Sequence, residues 1–162
     1  MKKTISALSM IALFSLPIHS FAQEKEMVSD KKVPEIVYDV ERKALKTFSP
    51  ALLNPNNKVK SSGAHYVAYS DFTQTGGASS VSDAYTNNKK TKKKTINYIY
   101  AKTKGYVNGI YKDSATDTQY NSSHAGAKVF ISNNFWDDGE AYGTHEFRLD
   151  GYQTWNTETY GT

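Results

Sequence analysis

Thr144-His145-Glu146-Phe147-Arg148-Leu149-Asp150-Gly151-Tyr152-Gln153-Thr154-Trp155-Asn156-Thr157-Glu158-Thr159 decides the fold class. In its first six residues His145, Phe147 and Leu149 alternate with Thr144, Glu146 and Arg148, the period-two signature of a strand with one buried face. Asp150-Gly151 then tolerates the positive φ that a reversal needs, and the chain returns from Tyr152 to Thr159 as a second strand. A two-residue loop would set Trp155 opposite Glu146, and a three-residue loop with a bulge sets it opposite Phe147. The second register is the expected one, because it puts two large aromatics on one buried face.

Upstream, everything from Ser61 is rich in Tyr, Thr, Ser, Asn and Gly, with apolar residues recurring at a period near two. Strands are expected at Ala64 to Phe72, Ser79 to Tyr85, Thr95 to Ala101, Gly105 to Tyr111 and Gly126 to Ser132. Asn108-Gly109 marks a tight hairpin turn within the fourth of these. With no βαβ alternation, these segments predict an all-β fold: an antiparallel β-sandwich or small barrel of about seven strands. Before them, Ile36, Val37, Val40, Ala44 and Phe48 recur every three or four residues, which predicts a short N-terminal helix from about Pro34 to Phe48. Ser49-Pro50 would end it, and the β-branched Ile36, Val37 and Val40 weaken it.

The N-terminus has a different character. Lys2 and Lys3, an apolar run from Ile5 to Ile18 and Ser20-Phe21-Ala22 form the pattern of a secretory signal peptide, residues 1–22, cleaved after Ala22. The run is too short to span a bilayer comfortably, and nothing after it offers a transmembrane segment. Residues 23–60 read as a polar tail followed by the helix, or as a pro-segment, and residues 61–162 as the β-domain. The expected destination is secreted or extracytoplasmic. The absence of cysteine then means that the exported domain folds by packing alone, without disulfides. It also excludes cysteine proteases, cysteine transpeptidases and cysteine-ligated zinc.

Charge is uneven along the chain. Without Lys2 and Lys3, eighteen basic residues face sixteen acids, a balance of +2. Lys58 to Lys112 holds ten lysines against Asp71 and Asp83, or +8, whereas Asp113 to Thr162 holds eight acids against Lys128 and Arg148, or −6. The densest cluster is Lys89, Lys90, Lys92, Lys93 and Lys94, whose mutual repulsion requires a solvated loop. Such a loop serves solubility, or it forms a landing site for an anionic cell-wall polymer, a cell-wall precursor or lipid headgroups. Export favours those partners over nucleic acid, which this cluster would hold only in a salt-sensitive, sequence-blind way.

Aromatics are the second anomaly, with twelve tyrosines, two tryptophans and seven phenylalanines. Most are expected to pack across strands. Phe135 and Trp136 lie between two expected strands, beside Asp137, Asp138 and Glu140, so they belong either at a loop tip available to a ligand or folded back on the core. The acids of this loop, like Asp113 and Asp117, are hard oxygen ligands, but neither group has the EF-hand order, and no metal site or cofactor motif is assigned. Nor is any catalytic residue: His65, His124 and His145 are far apart, and no zinc-protease, nucleophile-elbow or phosphate-loop motif is present.

Ser122-Ser123-His124-Ala125-Gly126-Ala127-Lys128-Val129, followed by Gly139-Glu140-Ala141-Tyr142, resembles the lactococcin 972 family of secreted bacteriocins. The likeness covers at most the last half of the chain. It implies a β-sandwich that is exported, antimicrobial and able to bind a cell-wall precursor, and it carries over no site residue.

The leading expectation is thus an exported, non-enzymatic protein that binds a bacterial envelope component. One alternative is a secreted hydrolase acting on cell-wall or other polysaccharide, with a carboxylate pair drawn from Asp113, Asp117, Asp137, Asp138 and Glu140 in a cleft, one with a raised pKa. Another is a β-pore-forming toxin that releases a hairpin from Thr73 to Asn88.

Overall fold

The computed structural model describes residues 35–39, 43–53 and 63–162. The expected signal peptide and the polar residues after it lie outside that range. The described residues form nine strands: β1 (Ile36–Asp39), β2 (Leu45–Phe48), β3 (His65–Thr73), β4 (Gly77–Tyr85), β5 (Ile96–Val107), β6 (Ile110–Ser122), β7 (His124–Val129), β8 (Gly139–Arg148) and β9 (Thr154–Gly161). They make a sandwich of a five-stranded sheet, β1-β9-β8-β5-β6, and a four-stranded sheet, β2-β3-β4-β7. All pairs are antiparallel except β1 with β9, which is parallel.

The hairpin that decides the fold has the expected register: Phe147 faces Trp155 across β8 and β9. Leu149 O accepts from Tyr152 N–H at 3.0 Å, and Gly151 adopts φ 82°. At the β5–β6 turn, Asn108 and Gly109 have φ of 53° and 72°. Two successive positive φ values are what a two-residue hairpin loop with right-handed strand twist requires.

The expected helix is not formed. Ile36–Asp39 and Leu45–Phe48 are strands, and no helix occurs among the described residues. The three-to-four spacing of apolar residues there arises from two short edge strands in different sheets. Val37 turns inward beside Trp155, and Phe48 stacks on Trp155 from the opposite sheet at 5.4 Å between ring centroids. These two strands bring the total to nine. The Lys43-Ala44 corner ties the layers: Lys43 O accepts from Tyr160 N–H and Ala44 O from Ser70 N–H, each at 3.0 Å.

Between the sheets, two apolar clusters are separated by a polar belt. One holds Tyr66, Ile96, Ile99, Phe147 and Trp155 among small alanines. The other holds Phe72, Val107, Val129 and Ile131. The belt is a hydrogen-bonded chain through His145, whose Nδ1 lies 2.9 Å from Ser82 Oγ and whose Nε2 lies 2.7 Å from Thr159 Oγ1. Thr159 Oγ1 meets Ser70 Oγ at 2.5 Å, and Ser70 Oγ meets Ser80 Oγ at 2.7 Å. Ser82 donates its proton to Tyr100 O at 2.7 Å, so it accepts from His145 Nδ1–H. That fixes the tautomer and every proton along the chain, which runs from Ser80 through Ser70, Thr159, His145 and Ser82 to the Tyr100 carbonyl.

Candidate functional site

The lysine cluster lies in the loop joining β4 to β5. This loop is closed by Thr86 N–H to Lys92 O at 2.9 Å and Lys94 N–H to Ala84 O at 2.9 Å. Its members are not equivalent. Lys93 pairs with Asp83, lies 4.6 Å over the Tyr85 ring and bridges to Tyr85 through its backbone. Asp83 also faces His124 Nδ1 at 2.9 Å and accepts from Tyr85 Oη at 3.2 Å. Burial alone would raise the Asp83 carboxyl, but hydrogen bonds from Lys93 and His124 hold it below its ordinary value of 3.8. Lys93 therefore anchors the loop, while Lys89, Lys90 and Lys92 are exposed around it. Asp83→Asn is expected to lower stability by about 1–3 kcal/mol, because Lys93 loses its charged partner. Lys89→Gln, Lys90→Gln and Lys92→Gln should each stay within about 0.5 kcal/mol, and urea titrations read both effects.

Phe135 and Trp136 form a tip at the other pole. They are 71% and 89% exposed and meet edge to face at 5.1 Å. The loop beneath them is braced. Asn134 O accepts from Asp137 N–H at 3.0 Å, and Asp137 Oδ2 accepts from Asn134 N–H at 2.7 Å. Asn108 at the β5–β6 turn donates to Asp137 Oδ1 at 2.8 Å and accepts from Asp138 N–H at 2.9 Å. Asn108 N–H also donates to Asp138 O at 2.7 Å, and Gln74 Nε2 donates to Phe135 O at 3.1 Å. The hydrogen bonds from Asn134 and Asn108 hold the Asp137 carboxyl below its ordinary value. Asp137 thus serves as the brace of the tip.

The two sets of expected site residues are not brought together. The nine residues of β4 separate the poles by roughly 27 Å at about 3 Å per residue. Of the acids proposed for a hydrolytic cleft, Asp138 and Glu140 both lie near Tyr160, and the others are placed elsewhere. Asp113 and Asp117 lie on β6, Asp137 and Asp138 in the β7–β8 loop and Glu140 on β8. Asp117 accepts from Gly126 N–H at 2.8 Å and Glu140 from Tyr160 Oη at 3.0 Å, which gives each a structural role. His145 with Ser82 has the separation of a base and a nucleophile, but the imidazole is fully buried and Ser82 donates to backbone. The pair joins the two sheets.

The outward face of the five-stranded sheet escapes a reading of the sequence. Residues whose inward neighbours fill the core align there in rows across the strands. One row is Tyr38, Asn156, Glu146 and Tyr100; the next is Glu158, Thr144 and Lys102; the third is Tyr160, Tyr142 and Lys104. Eight of the twelve tyrosines are on this face: Tyr38, Tyr98, Tyr100, Tyr106, Tyr111, Tyr120, Tyr142 and Tyr160. Tyr111, Tyr106, Tyr142 and Tyr160 form a continuous aromatic ladder over four strands, with centroids 5.6, 5.2 and 4.9 Å apart. A cavity of about 340 Å³ lies between Tyr38 and Tyr100, floored by Thr144, Glu146, Asn156 and Glu158. A second, of about 140 Å³, shares Thr144 and Glu158 with it and runs under Tyr142 and Tyr160. Partial burial and the bond to Glu140 push the Tyr160 phenol up to about 12, so it remains a hydrogen-bond donor at neutral pH.

Comparison with protein-family models, with curated proteins and with solved structures finds no match to this chain, so the chemistry of these surfaces is the guide to function.

Proposed function

We propose that the chain is an exported, non-enzymatic protein that binds a component of the bacterial cell envelope, with a bacteriocin-like antimicrobial action as its most specific form. The observation that carries this reading is the braced aromatic tip, where six hydrogen bonds secure a loop that holds Phe135 and Trp136 in water. Leaving such side chains exposed forgoes about 1.5–3 kcal/mol each. That free energy is gained when the tip enters the interfacial layer of a membrane, a favoured location for Trp. At the opposite pole, too far from an inserted tip to touch the same headgroups, Lys89, Lys90 and Lys92 supply attraction for an anionic cell-wall polymer or a phosphate-bearing cell-wall precursor.

Two observations favour this reading over its alternatives. A hydrolase would draw on a carboxylate pair in a cavity, and among the described residues Glu146 and Glu158 share one. Glu146 is already bound by Arg148 Nε at 2.5 Å, so its Oε1 is engaged in a structural contact. Pore formation by Thr73 to Asn88 would tear β4 from β3 and β7 together.

Co-sedimentation of residues 23–162 with phosphatidylglycerol vesicles and with Gram-positive cells tests the proposal. Binding at low salt is expected, with a blue shift of Trp136 emission on vesicles. Phe135→Ala with Trp136→Ala should weaken vesicle binding at least tenfold, since about 1.4 kcal/mol corresponds to a factor of ten. Replacing Lys89, Lys90 and Lys92 by Gln should flatten the salt dependence of binding to cells and leave vesicle binding through the tip unchanged. Absence of binding to both vesicles and cells at low salt would overturn the reading.

A further inference from the structure

We propose that the outward face of the five-stranded sheet is a carbohydrate-binding platform for a neutral chain of pyranose sugars. This site is separate from the aromatic tip, and it rests on different residues.

The side-chain chemistry of the rows selects the ligand. Tyr38 and Tyr100 stand at the two ends of one row and wall the larger cavity, and Tyr38 is 69% exposed. The negative π faces of tyrosine suit the C–H faces of a sugar ring, while the carboxylate, amide and hydroxyl groups between them suit its hydroxyls. Charge argues against a polyanion, because Glu140, Glu146 and Glu158 balance Lys102, Lys104 and Arg148 on this face. The two cavities share Thr144 and Glu158 in their linings and succeed one another along β8 and β9, an arrangement that suits an extended chain better than a single ring.

An unmet group strengthens the assignment. Asn156 lies in the floor of the larger cavity with its side-chain oxygen buried and without a hydrogen-bond partner. Buried polar atoms are normally paired, so this amide has a hydrogen bond to gain if it turns towards the cavity. A turn of the amide about χ2 presents either its oxygen or its nitrogen to a ligand hydroxyl.

The test is retention of residues 23–162 at low and at high salt on an array of neutral glucose, N-acetylglucosamine, mannose, galactose and xylose polymers set beside sulfated and uronic-acid glycans. Calorimetry with a soluble oligomer of the best ligand follows. Retention by at least one neutral glycan is expected. Tyr38→Ala and Tyr100→Ala should each weaken it about tenfold, with Tyr100→Phe close to wild type and melting temperatures little changed. The double variant Phe135→Ala with Trp136→Ala should bind glycan normally. The proposal is overturned if no neutral glycan retains the protein, if capture is confined to sulfated or uronic-acid glycans and disappears with salt, or if both Tyr→Ala variants bind as wild type. Vesicle binding and glycan binding depend on different substitutions, so failure of one leaves the other to be judged separately.

Discussion

Trp155→Ala is expected to cost about 3–5 kcal/mol of folding stability, the usual range for truncating a large buried aromatic. Trp155 is 1% exposed and stacks with Phe147 at 5.2 Å, Phe48 at 5.4 Å and Tyr66 at 6.4 Å, so one side chain holds rings from both sheets. Alanine there leaves a void that these stiff rings cannot refill by small rotations. In a domain without disulfides the loss is a large part of a typical total of about 5–15 kcal/mol. Trp136→Ala is the internal control and should stay within about 0.5 kcal/mol, since its ring is 89% exposed. Urea titrations followed by far-UV circular dichroism compare the two, and equal midpoints would mean that the core is not organised around Trp155.

Acid should unfold the protein through His145. Its burial, and then the nearby charge of Lys46, lower its pKa from 6.5 to about 3. The hydrogen-bond chain works in the same direction: a proton on Nε2 would oppose the donor from Thr159 and force every hydroxyl back to Ser80 to reverse. Between pH 6.5 and 3 the unfolded chain binds this proton and the folded one does not, so stability rises with pH in that window and is lost as pH falls. The full effect is on the order of 4–5 kcal/mol, at about 1.4 kcal/mol per pH unit. His65, lowered by burial and by Lys90, adds to the same slope. Asp83 acts lower, below its ordinary 3.8, where protonation releases Lys93 and His124. His145→Asn keeps a donor for Ser82 and removes the titration. It should begin less stable at neutral pH and lose less between pH 6 and 4 than the wild type. Parallel slopes for the two proteins would remove His145 as the cause.

The sequence is legible where the signal is local. Alternation through Thr144 to Leu149 and the turn at Asp150-Gly151 give β8, β9 and the Phe147–Trp155 register, and Asn108-Gly109 gives the β5–β6 turn. It misleads at β1 and β2, because four-residue edge strands show too few alternations to distinguish a period of two from 3.6. It is silent over most of β6, an edge strand whose Asp113, Ser114, Thr116 and Asp117 give no apolar alternation to read. The anchoring role of Lys93 depends on Asp83, ten positions earlier and on another strand, so five lysines that look alike divide only in the fold. The tyrosine face is hidden for the same reason. Composition counts twelve tyrosines, but which of them share a surface follows from the order β1-β9-β8-β5-β6, and no single segment encodes it.

The parallel pairing of β1 with β9 imposes a sequence in time. Ile36 meets Thr154 and Asp39 meets Thr157, so this edge cannot close until almost the whole described chain is at hand. Contacts of such long range form late, after the loop entropy of everything between them has been met. A chain emerging from a membrane channel N-terminus first would carry β1 without a mate until its last strand arrives. The order reverses under attack: a protease that clips residues 36–39 bares β9, and a bare strand edge is a template for pairing with a second molecule. The four residues that finish the sheet also guard it.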